Sequence, residues 1–266
     1  MTQAERRLYL IRSLLNEKTE YQSLNVPRDA GEQRKLLRSL MNVRAPKAVD
    51  ESFLHVQDAY LQQEMADEGI TDLDDLRPVS GDLYLWQGDI TRLKCGAIVN
   101  AANSGMTGCY IPCHACIDNC IHTFAGVQLR QDCAALMAEQ GHEEPTGQAK
   151  ITKAYNLPCD YVLHTVGPIV SGRVTREDER LFASCYRSCL ELAEKNSVRS
   201  VAFCCISTGV FHFPNERAAE IAVETVRRYK VETGSKIKVV FNVFKDLDKT
   251  IYERLLGANC APAARA

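Results

Sequence analysis

The sequence has no strong excess of charge of one sign and no long apolar run, and each absence excludes a class of protein. Its 32 basic and 34 acidic residues give a formal net charge of −2. Because binding along a phosphate backbone needs a positive field, we expect no general affinity for nucleic acid. No stretch of about eighteen consecutive apolar residues occurs, so we expect no membrane span.

The N-terminal stretch "MTQAERRLYLIRSLLNEK" lacks the uninterrupted apolar core of a signal peptide. We therefore expect a cytoplasmic protein. In that reducing compartment the 12 cysteines predict free thiols, most of them small buried side chains, rather than a disulfide framework.

Two regions of the 266-residue chain differ in their periodicity. Residues 1–80 carry three apolar stripes at helical spacing, interrupted by proline-containing segments, and predict an N-terminal helical extension. Residues 81–257 alternate β-rich runs with helical patterns, which predicts an α/β domain of three layers, α/β/α. Residues 258–266 predict a flexible C-terminal tail.

Six short runs in the second region are typical of strands: "LYLWQ", "GAIVNAA", "AKITKAY", "YVLHTV", "SVAFCCI" and "IKVVFNV". The segment "IDNCIHTFAGVQLRQDCAALMAEQ" predicts one long helix, and three further helical stretches separate or follow the later strands. Ligands of such sheets bind at the carboxyl ends of the strands. The loops after "GAIVNAA" and "VAFCCI" are therefore the predicted binding loops.

The later of these loops reads "STGVFHFPNERAA", residues 207–219. Its Ser207, Thr208 and Gly209 offer hydroxyls and backbone N–H groups to a phosphate, beside the positive end of a helix that begins near Asn215. The rings of Phe211 and Phe213 suit stacking on a base or covering a ribose. Taken alone, an S-T-G turn is more often an ordinary connection between a strand and a helix.

The earlier loop, "GCYIPCHACIDNCIH", holds four cysteines and two histidines within residues 108–122. By residue type it fits a zinc site, a redox-active C-x-x-C pair, an iron–sulfur ligand set or a closed site of four thiolates. Cys120 and His122 lie two positions apart in the predicted helix and do not share a face. His114 and Cys116 can converge only if "CHAC" is a loop.

The segments "QGDIT", "AIVNAAN", "IDNCIHTFAG", "YVLHTVGP" and "CISTGVFHFP" occur in the order and spacing of a macrodomain, over roughly residues 82–256. Together with the helical extension and the cysteine–histidine loop, they resemble the zinc-containing microbial macrodomains that act as protein-ADP-ribose hydrolases. The resemblance implies a macrodomain fold with a central mixed sheet. It also implies, as functional partners, a sirtuin-type ADP-ribosyltransferase and a lipoyl-carrier protein. A monomer is the default expectation.

The resemblance also assigns roles to residues. Asp89 would accept a hydrogen bond from the adenine amino group, with the Ile90 backbone nearby. Asn103 would contact the distal ribose, and Asp118 stands where hydrolytic macrodomains carry a functional aspartate, so both are the catalytic candidates. The other implied ADP-ribose contacts are Cys116, Ile117, Asn119, Ser207, Thr208, Gly209, Val210 and Phe211.

The same resemblance maps three zinc ligands onto Cys109, His114 and Cys116, which leaves one Zn²⁺ with an open position beside the ribose. The bystanders are then a free thiol at Cys113, a buried helix cysteine at Cys120, and a helix-surface or capping histidine at His122. Other hydrolytic macrodomains carry a glycine-rich run where this sequence has "GCYIPCHAC". Their catalytic arrangement therefore does not transfer directly.

The expected activity is zinc-dependent release of ADP-ribose from acidic (Asp/Glu) side chains of proteins. Asp118 would take a proton from the attacking water or orient the ribose. An aspartate at a helix start is often only an N-cap, which is the alternative for this residue. The alternative functions are a non-catalytic ADP-ribose reader and a deacetylase of O-acetyl-ADP-ribose.

Overall fold

The computed structural model describes residues 1–257. Three helices form the N-terminal segment: α1 (Gln3–Asn16), α2 (Ala30–Val43) and α3 (Glu51–Glu68). Each begins after a side chain that accepts a hydrogen bond from a backbone N–H group of the first turn, respectively Thr2, Asp29 and Asp50. Their apolar faces form a core of their own, which Val127 of the α/β region joins.

The strands of the α/β region are β2 (Leu83–Gln87), β4 (Ala97–Ala101), β5 (Ala149–Lys153), β6 (Tyr161–Thr165), β7 (Ser200–Phe203) and β8 (Lys238–Val243). They form one sheet in the order β2-β8-β7-β4-β6-β5. Neighbouring strands are parallel except for the edge strand β5, which is antiparallel to β6. The mixed sheet is therefore confirmed. Two short strands, β1 (Thr71–Asp72) and β3 (Leu93–Lys94), pair separately.

Helices flank this sheet as the α/β/α prediction requires. They are α4 (Ile117–Ala125), α5 (Val127–Gln140), α6 (Arg176–Lys195), α7 (Asn215–Thr233) and α8 (Asp246–Gly257). Helices α6, α7 and α8 pack side by side, while α4 and α5 pack on each other and on β4 and β5. Helix α4 also contacts α2, so the N-terminal segment lies directly on the element that follows the cysteine–histidine loop.

The prediction of one long helix after that loop is wrong, because the helix is broken at Gly126. This residue has φ 101°, a conformation that glycine adopts readily. A Cβ atom there would lie 2.6 Å from Nε2 of Gln57 on α3. The break therefore lets a side chain of the N-terminal segment approach the backbone between α4 and α5.

None of the helices within residues 1–257 combines the length and the apolarity needed to cross a bilayer. The eleven cysteines in this range are free thiols, as predicted. The flexible tail predicted for residues 258–266 lies outside the described residues.

Candidate active site

A pocket of about 600 Å³ opens where several parallel strands of the sheet end. Nine of the predicted ADP-ribose contacts line it: Asp89, Ile90, Cys116, Ile117, Ser207, Thr208, Gly209, Val210 and Phe211. The other three, Asn103, Asp118 and Asn119, are not among its lining residues. Asn103, which follows β4, donates a hydrogen bond to Asp118 in the first turn of α4.

The loop after β7 exposes several unused backbone donors. The N–H groups of Gly209, Val210 and Phe211 donate to no acceptor in the described part of the chain. Ser207 has φ 58°, and its Oγ is buried without a hydrogen-bond partner. Consecutive free N–H groups in such a turn form a concave site for an anion. The loop therefore suits a phosphate without a basic side chain of its own.

Phe213 does not face this pocket, so the prediction that it covers a ligand is wrong. Its ring is 1% exposed and lies 4.5 Å from the ring of Phe182, centroid to centroid. The backbone N–H of Phe213 donates to the Ser207 carbonyl at 3.0 Å. Phe213 thus anchors the loop to the hydrophobic core, while Phe211 lines the pocket.

The Asp89 carboxylate stands at the pocket wall with one oxygen engaged. Its Oδ1 accepts hydrogen bonds from the Thr91 backbone N–H at 3.0 Å and from the Thr91 hydroxyl at 2.7 Å. Its Oδ2 has the Arg92 Nε only at 3.8 Å. The arrangement fixes the carboxylate and leaves the second oxygen able to accept a ligand amino group.

Asp118 is buried and held by two amides. Its Oδ1 accepts from Nδ2 of Asn100 at 2.8 Å and its Oδ2 accepts from Nδ2 of Asn103 at 3.1 Å. Burial raises the pKa of Asp118 to about 6, against the lowering effect of those hydrogen bonds. Cys116, not Asp118, caps helix α4, so the capping alternative for Asp118 is wrong. The result is a carboxylate held in one orientation, with a pKa above its ordinary value.

The amide of Asn103 is almost fully used inside the protein. Its Nδ2 also donates to the Gly108 carbonyl at 3.2 Å, and its Oδ1 accepts from the Gly105 N–H at 3.0 Å. One lone pair of Oδ1 is left for a ribose hydroxyl.

Asn100 is a functional candidate that the sequence reasoning missed. It is fully buried in β4, and its Nδ2 donates both to Asp118 and to Nδ1 of His164 at 3.1 Å. His164 in turn donates from Nε2 to the Thr152 hydroxyl at 2.9 Å, so both of its ring nitrogens are hydrogen-bonded. Burial lowers the pKa of His164 to about 3, so the ring is neutral. The signal for Asn100 was a lone polar residue inside the apolar run "AIVNAA".

His122 is not the helix-surface or capping residue that was predicted. It is 4% exposed, with Gly108 and the His164 ring beside it, and neither ring nitrogen has a hydrogen-bond partner. Its Nε2 lies 3.6 Å from Oδ1 of Asp118. Burial lowers the pKa of His122 well below its usual value, so this contact is not an ion pair.

The structure brings together the three predicted metal ligands. The Sγ atoms of Cys109 and Cys116 and a ring nitrogen of His114 all lie within 4.8 Å of one another, and Cys109 Sγ is 3.6 Å from His114 Nδ1. Zinc bond lengths in a tetrahedral site place ligand atoms about 3.6 Å apart. Burial raises the pKa of Cys116 to about 12, and the neighbouring Cys109 adds to the shift. A bound cation is what would stabilise two such thiolates side by side.

The remaining cysteines of the loop lie outside this group, so the closed site of four thiolates does not assemble. Cys113 is exposed beside the Ser39 hydroxyl at 3.3 Å, and Cys120 faces the Arg38 guanidinium at 3.5 Å. Cys113 is the free thiol that was predicted, whereas the prediction of a buried helix cysteine at Cys120 is wrong, because Cys120 is only partly buried and lines the pocket.

A second group of candidate metal ligands consists of His122, Cys133 and His164. All three are buried, and both ring nitrogens of His164 already take part in hydrogen bonds. Cys133 was not among the predicted metal ligands. Of the two groups, the one in the loop fits a zinc ion better, because its three side chains are only partly buried and two of them, His114 and Cys116, line the pocket.

Comparison with known proteins identifies the family. Residues 99–222 match the Macro domain family. A protein-ADP-ribose hydrolase of Treponema medium is 61% identical over 260 residues, which cover 96% of this chain and 100% of that protein. A protein-ADP-ribose hydrolase of Staphylococcus aureus (strain MSSA476) is 51% identical over 247 residues, which cover 92% of each chain.

The fold agrees with a solved structure of the same kind. The Trypanosoma brucei macrodomain in complex with ADP-ribose superposes with a TM-score of 0.64 at 30% identity, over 82% of this chain and 95% of that one. The chain therefore belongs to the macrodomain family.

Proposed function

We propose that this protein is a hydrolase that releases ADP-ribose from modified proteins, and that it prefers the ester linkage to aspartate or glutamate side chains. The observation that carries the proposal is the Asp118 carboxylate, oriented by Asn100 and Asn103. Its helix is capped by Cys116, a member of the candidate metal group. The names of the relatives from Treponema medium and Staphylococcus aureus support the release of ADP-ribose from proteins.

The pocket offers a complement for each part of ADP-ribose. Asp89 is the proposed acceptor for the adenine amino group, beside the Ile90 backbone. The free N–H groups of residues 209–211 suit the diphosphate. Asn103 holds the distal ribose in this proposal, with Cys116 and Ile117 around it. Asn119 does not reach the ligand, because it is fully buried and its amide is bonded to Arg38 and to the loop backbone. The ligand then runs along the pocket from Asp89 to the cysteine–histidine loop.

Asp118 has the catalytic role in this scheme. It takes a proton from the attacking water, or orients the ribose toward that water, and the products are ADP-ribose and the free carboxylic acid of the protein. Asn100 and Asn103 keep the carboxylate in one orientation, which costs no reorganisation during the reaction.

We also propose that Cys109, His114 and Cys116 hold one zinc ion. When bound, zinc supplies a positive charge that stabilises negative charge developing at the ester. Three protein ligands leave a coordination position open, as in catalytic zinc sites.

The partners in this proposal follow the resemblance in the sequence. They are a sirtuin-type ADP-ribosyltransferase and the lipoyl-carrier protein that the transferase modifies. The hydrolase acts on the modified carrier protein as a monomer. Size-exclusion chromatography with light scattering tests the monomer.

The activity is tested by offering the purified protein three substrates at equal concentration: aspartate- or glutamate-linked ADP-ribosyl protein, serine-linked ADP-ribosyl protein, and O-acetyl-ADP-ribose. We expect the fastest release from the acidic linkage, with multiple turnovers. If calorimetry finds tight ADP-ribose binding but all three substrates stay intact, the protein is a reader. If O-acetyl-ADP-ribose is cleaved fastest, it is an esterase of that small molecule.

A further inference from the structure

Arg38 of helix α2 lies in the wall of the pocket, although it belongs to the N-terminal helical segment. Its Nη2 donates to the His114 carbonyl at 2.8 Å and to Oδ1 of Asn119 at 2.9 Å. One guanidinium therefore contacts both the candidate metal loop and the first turn of α4.

The charge of Arg38 has no acidic partner. No ion pair within residues 1–257 includes it, and its acceptors are a carbonyl, an amide oxygen and a thiol. Its Nε is buried and makes no hydrogen bond. A buried donor left without a partner is costly, and a pocket wall with an unpaired cation favours an anionic ligand.

Of the other charged groups that line the pocket, Asp89 and Asp248 are acidic, but neither forms an ion pair with Arg38 within the described residues. Asp89 is bonded to Thr91, and Asp248 accepts from Asn215 at 2.6 Å. Lys245, two residues beyond the carboxyl end of β8, adds a second cation. The anion that enters this pocket in the proposed function is the diphosphate of ADP-ribose, and the inference rests on that function for the identity of its ligand.

We propose that Arg38 is an ADP-ribose-binding residue that the N-terminal segment supplies to the macrodomain. Its free guanidinium N–H groups attract the diphosphate, while its Nη2 holds the cysteine–histidine loop at the His114 carbonyl. The N-terminal helices then complete the binding site and are not only a covering layer. Nucleotide affinity and the position of the loop depend on the same side chain.

The test is isothermal calorimetry of the full chain with ADP-ribose, ADP and adenosine, on wild type, Arg38→Gln, Arg38→Lys and Arg34→Gln. Arg34 lies one turn earlier on α2, is exposed and pairs with Glu64 at 3.5 Å, so it is the matched control. We expect Arg38→Gln to weaken ADP-ribose and ADP binding about 10- to 100-fold, the size of a charged hydrogen bond. Arg38→Lys should lose less, and Arg34→Gln should bind as wild type does.

The affinity for adenosine distinguishes a contact between Arg38 and the diphosphate from a general disturbance of the pocket. It should not change in Arg38→Gln, because adenosine has no phosphate. Equal losses for adenosine and ADP-ribose, or no loss in Arg38→Gln with an unchanged melting temperature, would overturn the proposal. The binding result is independent of turnover, so a wild type that binds ADP-ribose without hydrolysing it contradicts the proposed function but not the role of Arg38.

Discussion

Asn100 connects a buried histidine to the carboxylate at the centre of the site. Because Asp118 is almost fully buried, each of its oxygens depends on one amide for its hydrogen bond. The orientation of Asp118 is therefore a property of the β4 strand and of Asn103, and not of helix α4 alone.

Replacing Asn100 with leucine should lower the free energy of unfolding by about 1–3 kcal/mol, because it leaves a buried acceptor on Asp118 without its donor. Urea denaturation measures the change, and Asn196→Ala at the exposed end of α6 is the control, with an expected change within about 0.5 kcal/mol. Hydrolysis should slow as well. Unchanged stability and rate in Asn100→Leu would show that Asn100 does not hold Asp118.

The candidate zinc ligands Cys109, His114 and Cys116 allow a second prediction at the scale of single residues. Purified wild type should contain about one zinc ion per chain. His114→Ala should lose most of it, since it removes one of three ligands, whereas Cys113→Ala should keep it, since Cys113 lies in the same loop but outside the group. Elemental analysis by mass spectrometry measures both. Iron with acid-labile sulfide in the wild type, or equal zinc loss in both variants, would contradict the assignment.

At the scale of elements, the cysteine–histidine loop depends on a glycine packed against His122. Gly108 has φ 85°, and a Cβ atom there would lie 2.8 Å from the His122 ring. Gly141, after helix α5, has a similar φ of 75° but nothing within 4 Å of an added Cβ. The two glycines share a conformational requirement and differ only in what surrounds them.

Gly108→Ala and Gly141→Ala should therefore both destabilise the protein by about 1–2 kcal/mol through the left-handed conformation. Only Gly108→Ala should also reduce zinc content and hydrolysis, because its methyl group displaces the loop. Thermal denaturation, metal analysis and the hydrolysis assay compare the pair. If both variants retain full zinc and activity, the packing of Gly108 on His122 does not position the loop.

Most elements could be predicted from the sequence, because each depends on a local pattern. The six strands were visible as short β-rich runs, and the caps Thr2 and Asp50 begin helices whose apolar spacing is regular. The errors arose where distant segments meet. Gly126 breaks a helix against Gln57, and His122 lies buried beside Gly108 and His164, and neither contact leaves a signal in the local sequence.

The residues of the candidate site also fall into those that a local sequence pattern predicts and those that depend on contacts between distant segments. The loop residues at the pocket, such as Ser207, follow strand ends in the sequence and could be predicted from the order of motifs. Arg38 could not, because only the docking of α2 brings it beside Cys120. Asn100 stands out as the one polar residue of an apolar strand, but its bond to Asp118 depends on the packing of α4 on β4.

At the scale of the whole molecule, the N-terminal segment and the macrodomain share buried polar contacts. Arg130 of α5 is 5% exposed and donates to the carbonyls of Met41, Asn42 and Arg44 at the end of α2, the last two at 2.6 Å. Its guanidinium also lies 4.3 Å from the centre of the Tyr110 ring in the cysteine–histidine loop. These contacts couple the two regions across their interface.

We therefore expect the chain to unfold as one unit. The fluorescence of Trp86, the single tryptophan, reports the sheet, and far-ultraviolet circular dichroism also reports the N-terminal helices. Their urea transitions should coincide in the wild type. Arg130→Leu should lower the free energy of unfolding by about 3 kcal/mol, because three carbonyls lose a charged donor. Arg12→Leu, at an exposed position of α1, should change little; separate transitions in the wild type would mean that the regions fold independently.

The central claim is that Asp118 is needed to hydrolyse the bond between ADP-ribose and the modified protein. The binding of ADP-ribose itself does not depend on the Asp118 carboxylate. Single-turnover release of ADP-ribose from an aspartate- or glutamate-modified protein, by wild type and by Asp118→Asn, tests this most directly when zinc content and ADP-ribose affinity are measured on the same samples. We predict that Asp118→Asn slows release by about 10²- to 10⁴-fold, with zinc and affinity unchanged. Release by Asp118→Asn at the wild-type rate would contradict the account, as would a loss of rate that only follows a loss of binding.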